Sequence, residues 1–315
     1  MAIFRLVIRR LLSSTPLLFM VSALTFVLVS LVPGDPARTI VGQHATEEQY
    51  RTVRGQLGLD EPLPVQYWHW LVRVFHGDLA SSLFSGEPVT SVLNNRLPVS
   101  ISLIVAGTVV SGILGVALGL LSARRGGFLV RIVDGLSLIG LAVPAFWLAL
   151  VLIAVLAVQL RWFPVTGYVP FADDPAQWAR SLVLPVMSLS VGAVAIIAKQ
   201  TRDSVLDTST RDFIRVMQAN GFSPRSILYR HVLRNAALPV VTVLGVVLVS
   251  LLSAAVFVET VFAMPGLGSL TQQATIQHDI PLIQGAVLYI TVLVVLVNLL
   301  VDLAYGRLDP RVRAA

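Results

Sequence analysis

The sequence predicts an all-α polytopic membrane protein with six transmembrane helices. Three observations lead there. Of 315 residues, 56% are hydrophobic and 13% are charged, about half the charged share of an ordinary soluble domain. Six apolar runs approach or exceed the roughly 20 residues needed to cross a bilayer as a helix. Between the runs, basic residues gather on alternate segments.

The first run, Leu11–Val32, follows Arg5, Arg9 and Arg10. It is longer than a signal-peptide core and no small-x-small cleavage site follows, so it reads as a retained helix. The second, Val99–Leu121, contains Gly112, Gly115 and Gly119, a small-residue spacing that lets membrane helices approach closely. Ile132–Val158 contains Pro144 and Ser181–Ala198 contains Pro185; each proline predicts a kink whose freed carbonyls neighbouring groups satisfy. Leu238–Phe262 and Leu282–Leu303 complete the set.

With the N-terminus inside, internal segments hold 16 basic residues and external ones 7. The positive-inside rule then places both termini in the cytoplasm. The chain divides into an N-terminal segment with the first helix (1–32), an extracytoplasmic loop region (33–98), and a core (99–315) containing a cytoplasmic loop at 199–237. In the external loop, Thr46 and Gln49 form a capping box, and Tyr50, Val53 and Leu57 share one face before Gly58. Pro64–Phe75 presents Tyr67, Trp68, Trp70 and Phe75. Such rings suit a membrane interface or a docking surface.

Several function classes are excluded. The chain has no cysteine, hence no disulfide, thiolate metal site or cysteine nucleophile. Asp134, Lys199, Glu259 and Asp302 lie near span ends, and Asn298 is the most polar residue well inside the sixth. Ion-coupled carriers place an acid or a broken helix at mid-membrane, so self-powered transport is disfavoured. Five histidines, His44, His69, His76, His231 and His278, lie in loops without metal-ligand spacing to a carboxylate. Lys199 is the only lysine and no glycine-rich loop precedes it, so there is no P-loop for ATP. The net charge of +6 follows membrane topology and does not point to nucleic acid.

The basic loop 199–237 reads as two short helices. The first, near Arg211–Ala219, offers Phe213, Ile214 and Met217 to one side and stops at Asn220-Gly221, where glycine suits the left-handed conformation of a helix end. Ser223 then serves as N-cap with Pro224 at the first helical position. The second helix runs through Ile227, Leu228, His231 and Val232 to Asn235. Insertion into a groove on another protein and adhesion to anionic lipid headgroups both remain open from these residues.

Asn220-Gly221-Phe222-Ser223-Pro224 through His231-Val232-Leu233-Arg234-Asn235-Ala236-Ala237-Leu238-Pro239 resembles the coupling loop of ABC-importer permeases, and more narrowly the dipeptide/oligopeptide (peptide/nickel) family. The likeness extends over almost the whole chain. Its motifs include Pro33-Gly34-Asp35-Pro36, Leu57-Gly58-Leu59-Asp60, Gly77-Asp78-Leu79 and Pro144-Ala145-Phe146-Trp147. Further along come Glu259-Thr260-Val261-Phe262 with Pro265-Gly266-Leu267-Gly268, then Asp279-Ile280-Pro281-Leu282 and Asp309-Pro310-Arg311. Two features depart from the general importer motif. Arg215-Val216-Met217 stand where Glu-Ala-Ala is usual, and Leu238-Pro239 lie farther from Gly221. Both departures lie toward the peptide subfamily.

The resemblance implies a type I importer-permease fold and one membrane half of an ATP-driven importer of short peptides in a bacterial cytoplasmic membrane. It implies a second homologous permease, two ATPase subunits that hold ATP and magnesium, and an extracytoplasmic peptide-binding protein. This chain itself would carry no cofactor and no catalytic residue. Coupling to the ATPases would fall to Asn220, Gly221, Phe222, Ser223, Pro224, Arg225, Ile227, Leu228, His231 and Arg234. Glu259, Pro265 and Gly266 are the candidates for an external gate, with a purely structural role for Glu259 at a helix end beside it. Nickel, glutathione or another small solute is the alternative cargo. An ATP-independent channel or scaffold is the alternative class.

Overall fold

The computed structural model describes residues 2–31, 35–42, 45–125 and 127–308. Pro33, Gly34, His44 and the Asp309-Pro310-Arg311 motif lie outside the described residues. Twelve helices account for most of the described residues: α1 (Ala2–Ser30), α2 (Pro36–Val41), α3 (Glu47–Gln56), α4 (Leu63–Phe75), α5 (Val89–Arg125) and α6 (Phe128–Ala142). They continue with α7 (Ala145–Gln159), α8 (Pro175–Ser209), α9 (Asp212–Ala219), α10 (Pro224–Val261), α11 (Leu267–Gln277) and α12 (Ile280–Leu308).

Among the described residues, five helices are long and apolar enough to cross a membrane: α1 from Val7, α5, α8, α10 and α12 to Ala304. The third expected span, Ile132–Val158, is divided. α6 ends at Ala142, and Pro144 caps α7 in an extended conformation (φ −62°, ψ 142°). Proline has no N–H to donate and disfavours the helical region for the residue before it. The result here is a break rather than the expected kink. α7 itself ends in widened π-helical turns over Ile153–Gln159. Pro185, by contrast, sits inside an unbroken α8.

The chain forms two compact units. The first comprises Met1–Val7, Ile101–Met264 and Leu296–Ala315. Its centre is α8, whose most apolar stretch is 72% buried, far more than in any other spanning helix. Between lipid-bathed helices the hydrophobic effect contributes little, so close packing of small residues must hold them. A Cβ on Gly115 of α5 would lie 2.7 Å from Ile197 of α8, and one on Gly119 would overlap Ala198 and Thr201. Gly140 of α6 meets Gly192 of α8 backbone to backbone. Hydroxyls add to the contact: Ser137 donates to the Val133 carbonyl at 2.7 Å and reaches that of Ala195 at 3.4 Å.

The second unit comprises Ile8–Ser100 and Pro265–Val295. Local sequence explains much of it. Asp35 caps α2, accepting from the Ala37 N–H at 2.9 Å. The expected capping box of Thr46 and Gln49 opens α3 with both of its hydrogen bonds, and Gly58 takes φ +66° after it. A core of Leu79, Val89, Leu93, Leu270, Leu282 and Ile283 holds the unit together. At Gly285 the Val89 and Leu93 side chains occupy the space a Cβ would need. Ser82 donates to the buried Asp279 carboxylate at 2.5 Å, joining positions 197 residues apart in the chain.

Candidate functional site

The segment expected as a long loop, 199–237, is mostly helix. α8 continues past Lys199 to Ser209, and the second elbow helix does not stop at Asn235 but runs on to Val261. Only the Thr210–Arg211 and Asn220–Ser223 junctions interrupt the helices. The reason is that no helix breaker stands at Lys199 or Asn235; α8 stops only where Thr210 caps it.

The elbow closes through a complete Schellman motif. The Phe222 N–H donates to the Met217 carbonyl at 3.2 Å and the Gly221 N–H to the Gln218 carbonyl at 3.1 Å. Gly221 takes φ +78° with open space around it, so the glycine is required by backbone conformation and not by crowding. Ser223 then accepts from the Ser226 N–H at 3.3 Å, and Pro224 occupies the first turn as its fixed φ favours. The next turns, Ile227–Val232, are π-helical.

A small core fixes the elbow's shape. Ile214 (1% exposed), Val205, Ile227, Val232 and Ala236 are buried together, with Met217, Leu228, Leu120 and Ala123 packed around them. The candidates therefore divide by role. Asn220, Gly221, Phe222, Ser223, Pro224 and Arg225 are exposed at the tip. Ile227 and Leu228 point into the elbow's own core, His231 is half-buried behind them, and Arg234 is exposed one turn further on. Of the three apolar residues expected on one face, Ile214 and Met217 turn inward and Phe213 is partly exposed.

Sequence reasoning missed Val216 and Tyr229, which with Phe222 (50% exposed) give the elbow an apolar outer surface among Arg215, Arg225 and Arg230. It also missed Arg124, which lines a 510 Å³ hollow with Gln218, Phe222 and Arg225. The spacing of 216, 222 and 229 fits no single helical face, because a turn intervenes. Surface ion pairs run along the elbow, Arg211 with Asp207 at 3.0 Å and Arg215 with Asp212 at 3.6 Å; exposed pairs of this kind add little stability.

The gate candidates fall in different units. Glu259 is fully buried in the last turn of α10, and its backbone carbonyl accepts from the Met264 N–H at 2.8 Å. Pro265 and Gly266 belong to the second unit. There Gly266 precedes α11, donating to Ser269 Oγ at 3.2 Å, and the Leu267 N–H donates to Ser100 Oγ at 2.8 Å.

A family model described as "Binding-protein-dependent transport system inner membrane component" matches residues 115–314, and its N-terminal counterpart matches residues 3–104. A probable peptide ABC transporter permease protein of Sinorhizobium fredii is 43% identical over 98% of both chains. A putative peptide transport system permease protein of Brucella abortus is 40% identical with the same coverage. A glutathione transport system permease protein of Pectobacterium atrosepticum is 38% identical over 97% of this chain and 98% of its own. Among solved structures, the inward-facing MetNI methionine ABC transporter superposes with a TM-score of 0.57 at 20% identity. That match covers 70% of this chain and 97% of the other, and at this identity the likeness is one of fold.

Proposed function

Because the chain belongs to the binding-protein-dependent transport system inner membrane component family, we propose that it is one membrane half of an ATP-driven peptide importer, driven through the Asn220–Arg225 elbow. The observation that supports this most is the elbow itself. Its tip is exposed, apolar and basic, yet its angle is fixed by a Schellman turn, a serine cap and a private core. A partner pushing on such a tip moves α10 as a continuation of the elbow instead of bending a loop.

In this reading the protein spans the bacterial cytoplasmic membrane with both termini inside. A second homologous permease completes the path, two ATPase subunits hold ATP and magnesium and grip the two elbows, and an extracytoplasmic binding protein delivers short peptides. The Glu259 and Pro265–Gly266 region contributes to an external gate. The 1–32, 33–98 and 99–315 segments serve as anchor, receiving region and translocation core. ATP-driven closure of the ATPases shifts the permease between two states only to the extent that their contacts with the elbow differ in those states.

The test is co-purification. Wild-type permease retains its ATPase subunits through affinity purification, whereas Phe222→Asp with Arg225→Glu loses them and loses dipeptide uptake in a deletion strain. Retention of both by the double variant rules the reading out. Glutathione is the second cargo, favoured by the 38% identical relative that bears its name; growth on defined dipeptides against growth on glutathione separates the two.

A further inference from the structure

We propose that α4 is embedded in the bilayer, with the side formed by Val65, Trp68, Val72 and Phe75 against lipid acyl chains. Two ring pairs fix its position against α1. Tyr67 meets Phe26 edge to face at 5.6 Å, and its hydroxyl lies 2.9 Å from Ser22 Oγ. Phe75 meets Phe19 at 6.4 Å between ring centres. From Tyr67 to Phe75 α4 rises about 12 Å, while from Phe26 back to Phe19 α1 descends about 10 Å at 1.5 Å per residue. The two helices therefore run antiparallel and side by side.

The depth follows from α1. Its apolar span runs from Val7 to Ser30, and only 6% of its most apolar stretch is buried within the chain. Phe19 lies about 16 Å from the Ser30 end, close to the middle of a hydrocarbon layer about 30 Å thick. A helix packed along residues 19–26 of that span lies at acyl-chain depth with it.

The order of residues around α4 says which side meets lipid. At 100° per residue, Tyr67, Trp70, Leu71 and Val74 form the inward side, with Trp70 only 4% exposed. Next to the α1 contact comes the apolar arc, with Trp68 61% and Phe75 72% exposed. Beyond it lie His69, Arg73 and His76, all exposed. His69 and Arg73 border an 880 Å³ cleft together with Gln66 and Gln284, and Trp68 and Val72 stand where the apolar arc meets its rim. The apolar arc is thus continuous with the exposed side of α1, where Met20 and Leu24 stand free. His69 and Arg73 face the cleft, and polar groups at membrane depth are tolerated where they line a water-filled cavity. An apolar surface of this extent also needs a cover, and the surface it continues is that of a spanning helix.

The absence of cysteine makes the test direct. Val72→Cys, Phe75→Cys and Arg73→Cys, each in the assembled complex in lipid nanodiscs, are labelled with an environment-sensitive fluorophore and challenged with acyl-chain spin labels. Labels at 72 and 75 are quenched several-fold more than the label at 73, and positions 72 and 75 resist a membrane-impermeant maleimide. Absence of acyl-chain quenching at 72 and 75 overturns the proposal. Reactivity with the aqueous reagent would then mean an exposed loop, and protection without quenching would mean a protein cover. Brominated lipids give a second reading that needs no introduced cysteine: they quench wild-type tryptophan emission more than that of Trp68→Phe, and equal quenching contradicts lipid contact.

Discussion

Gly140 and Gly192 touch through their backbones: a methyl group on Gly192 would sit 2.7 Å from the Gly140 carbonyl oxygen. No side chain intervenes where α6 crosses α8. Gly192→Leu therefore forces the helices apart, at a cost of about 1–3 kcal/mol expected for overpacking, and lowers the melting temperature of the purified permease. Gly135, on α6 with open space around it, provides the control. Gly135→Ala leaves the melting temperature unchanged or slightly higher, since alanine is the better helix former.

Asp279 is fully buried and Ser82 is its hydroxyl donor, while the Leu282 N–H donates to the other carboxylate oxygen at 3.3 Å. Ser82→Ala leaves a buried carboxylate short of one donor, a loss of about 1.5–3 kcal/mol for a hydrogen bond to a charged group. Asp279→Asn, whose oxygen still accepts from the Leu282 N–H while its NH2 donates to the Ser82 hydroxyl oxygen, costs less. Chemical denaturation followed by protease sensitivity around residues 82–88 measures the difference.

Burial pushes the Asp35 carboxyl upward. The Tyr50 hydroxyl, the Ala37 and Arg38 N–H groups and the Arg54 charge outweigh it, so the carboxyl titrates below its ordinary range in the folded chain. The unfolded chain then takes up the proton first as pH falls. The stabilisation is fully present above the unfolded value of about 4 and is lost as pH drops through the folded one. Hydrogen exchange of residues 36–41, corrected for intrinsic rate, shows wild type better protected than Asp35→Asn at pH 6, with the gap closing below pH 3.8. A constant gap across that range contradicts the assignment.

What was legible in the sequence was local. The Thr46–Gln49 box, the Gly221 turn and the Ser223 cap each depend on residues within a few positions, and single-residue chemistry decides them. The close approaches at Gly115 and Gly119 were readable as a spacing but not as a partner, because α8 lies some 80 residues away. The Pro144 break was underestimated as a kink, since sequence does not show whether neighbours satisfy the freed carbonyls. Leu120 and Ala123 beneath the elbow, and Ser82 beside Asp279, gave no signal at all. Contacts between distant segments are set by how helices pack, and apolar spans of similar composition leave that choice open.

The elbow turns on Gly221 at φ +78°, where a β-branched residue is strained by roughly 1–2 kcal/mol and asparagine is tolerated. The most direct measurement is peptide-stimulated ATPase activity of the reconstituted complex carrying Gly221→Val or Gly221→Asn, with uptake measured in parallel. Gly221→Val is expected to keep basal ATP hydrolysis but lose stimulation and uptake, while Gly221→Asn retains most of both. Wild-type stimulation and uptake in Gly221→Val would contradict it.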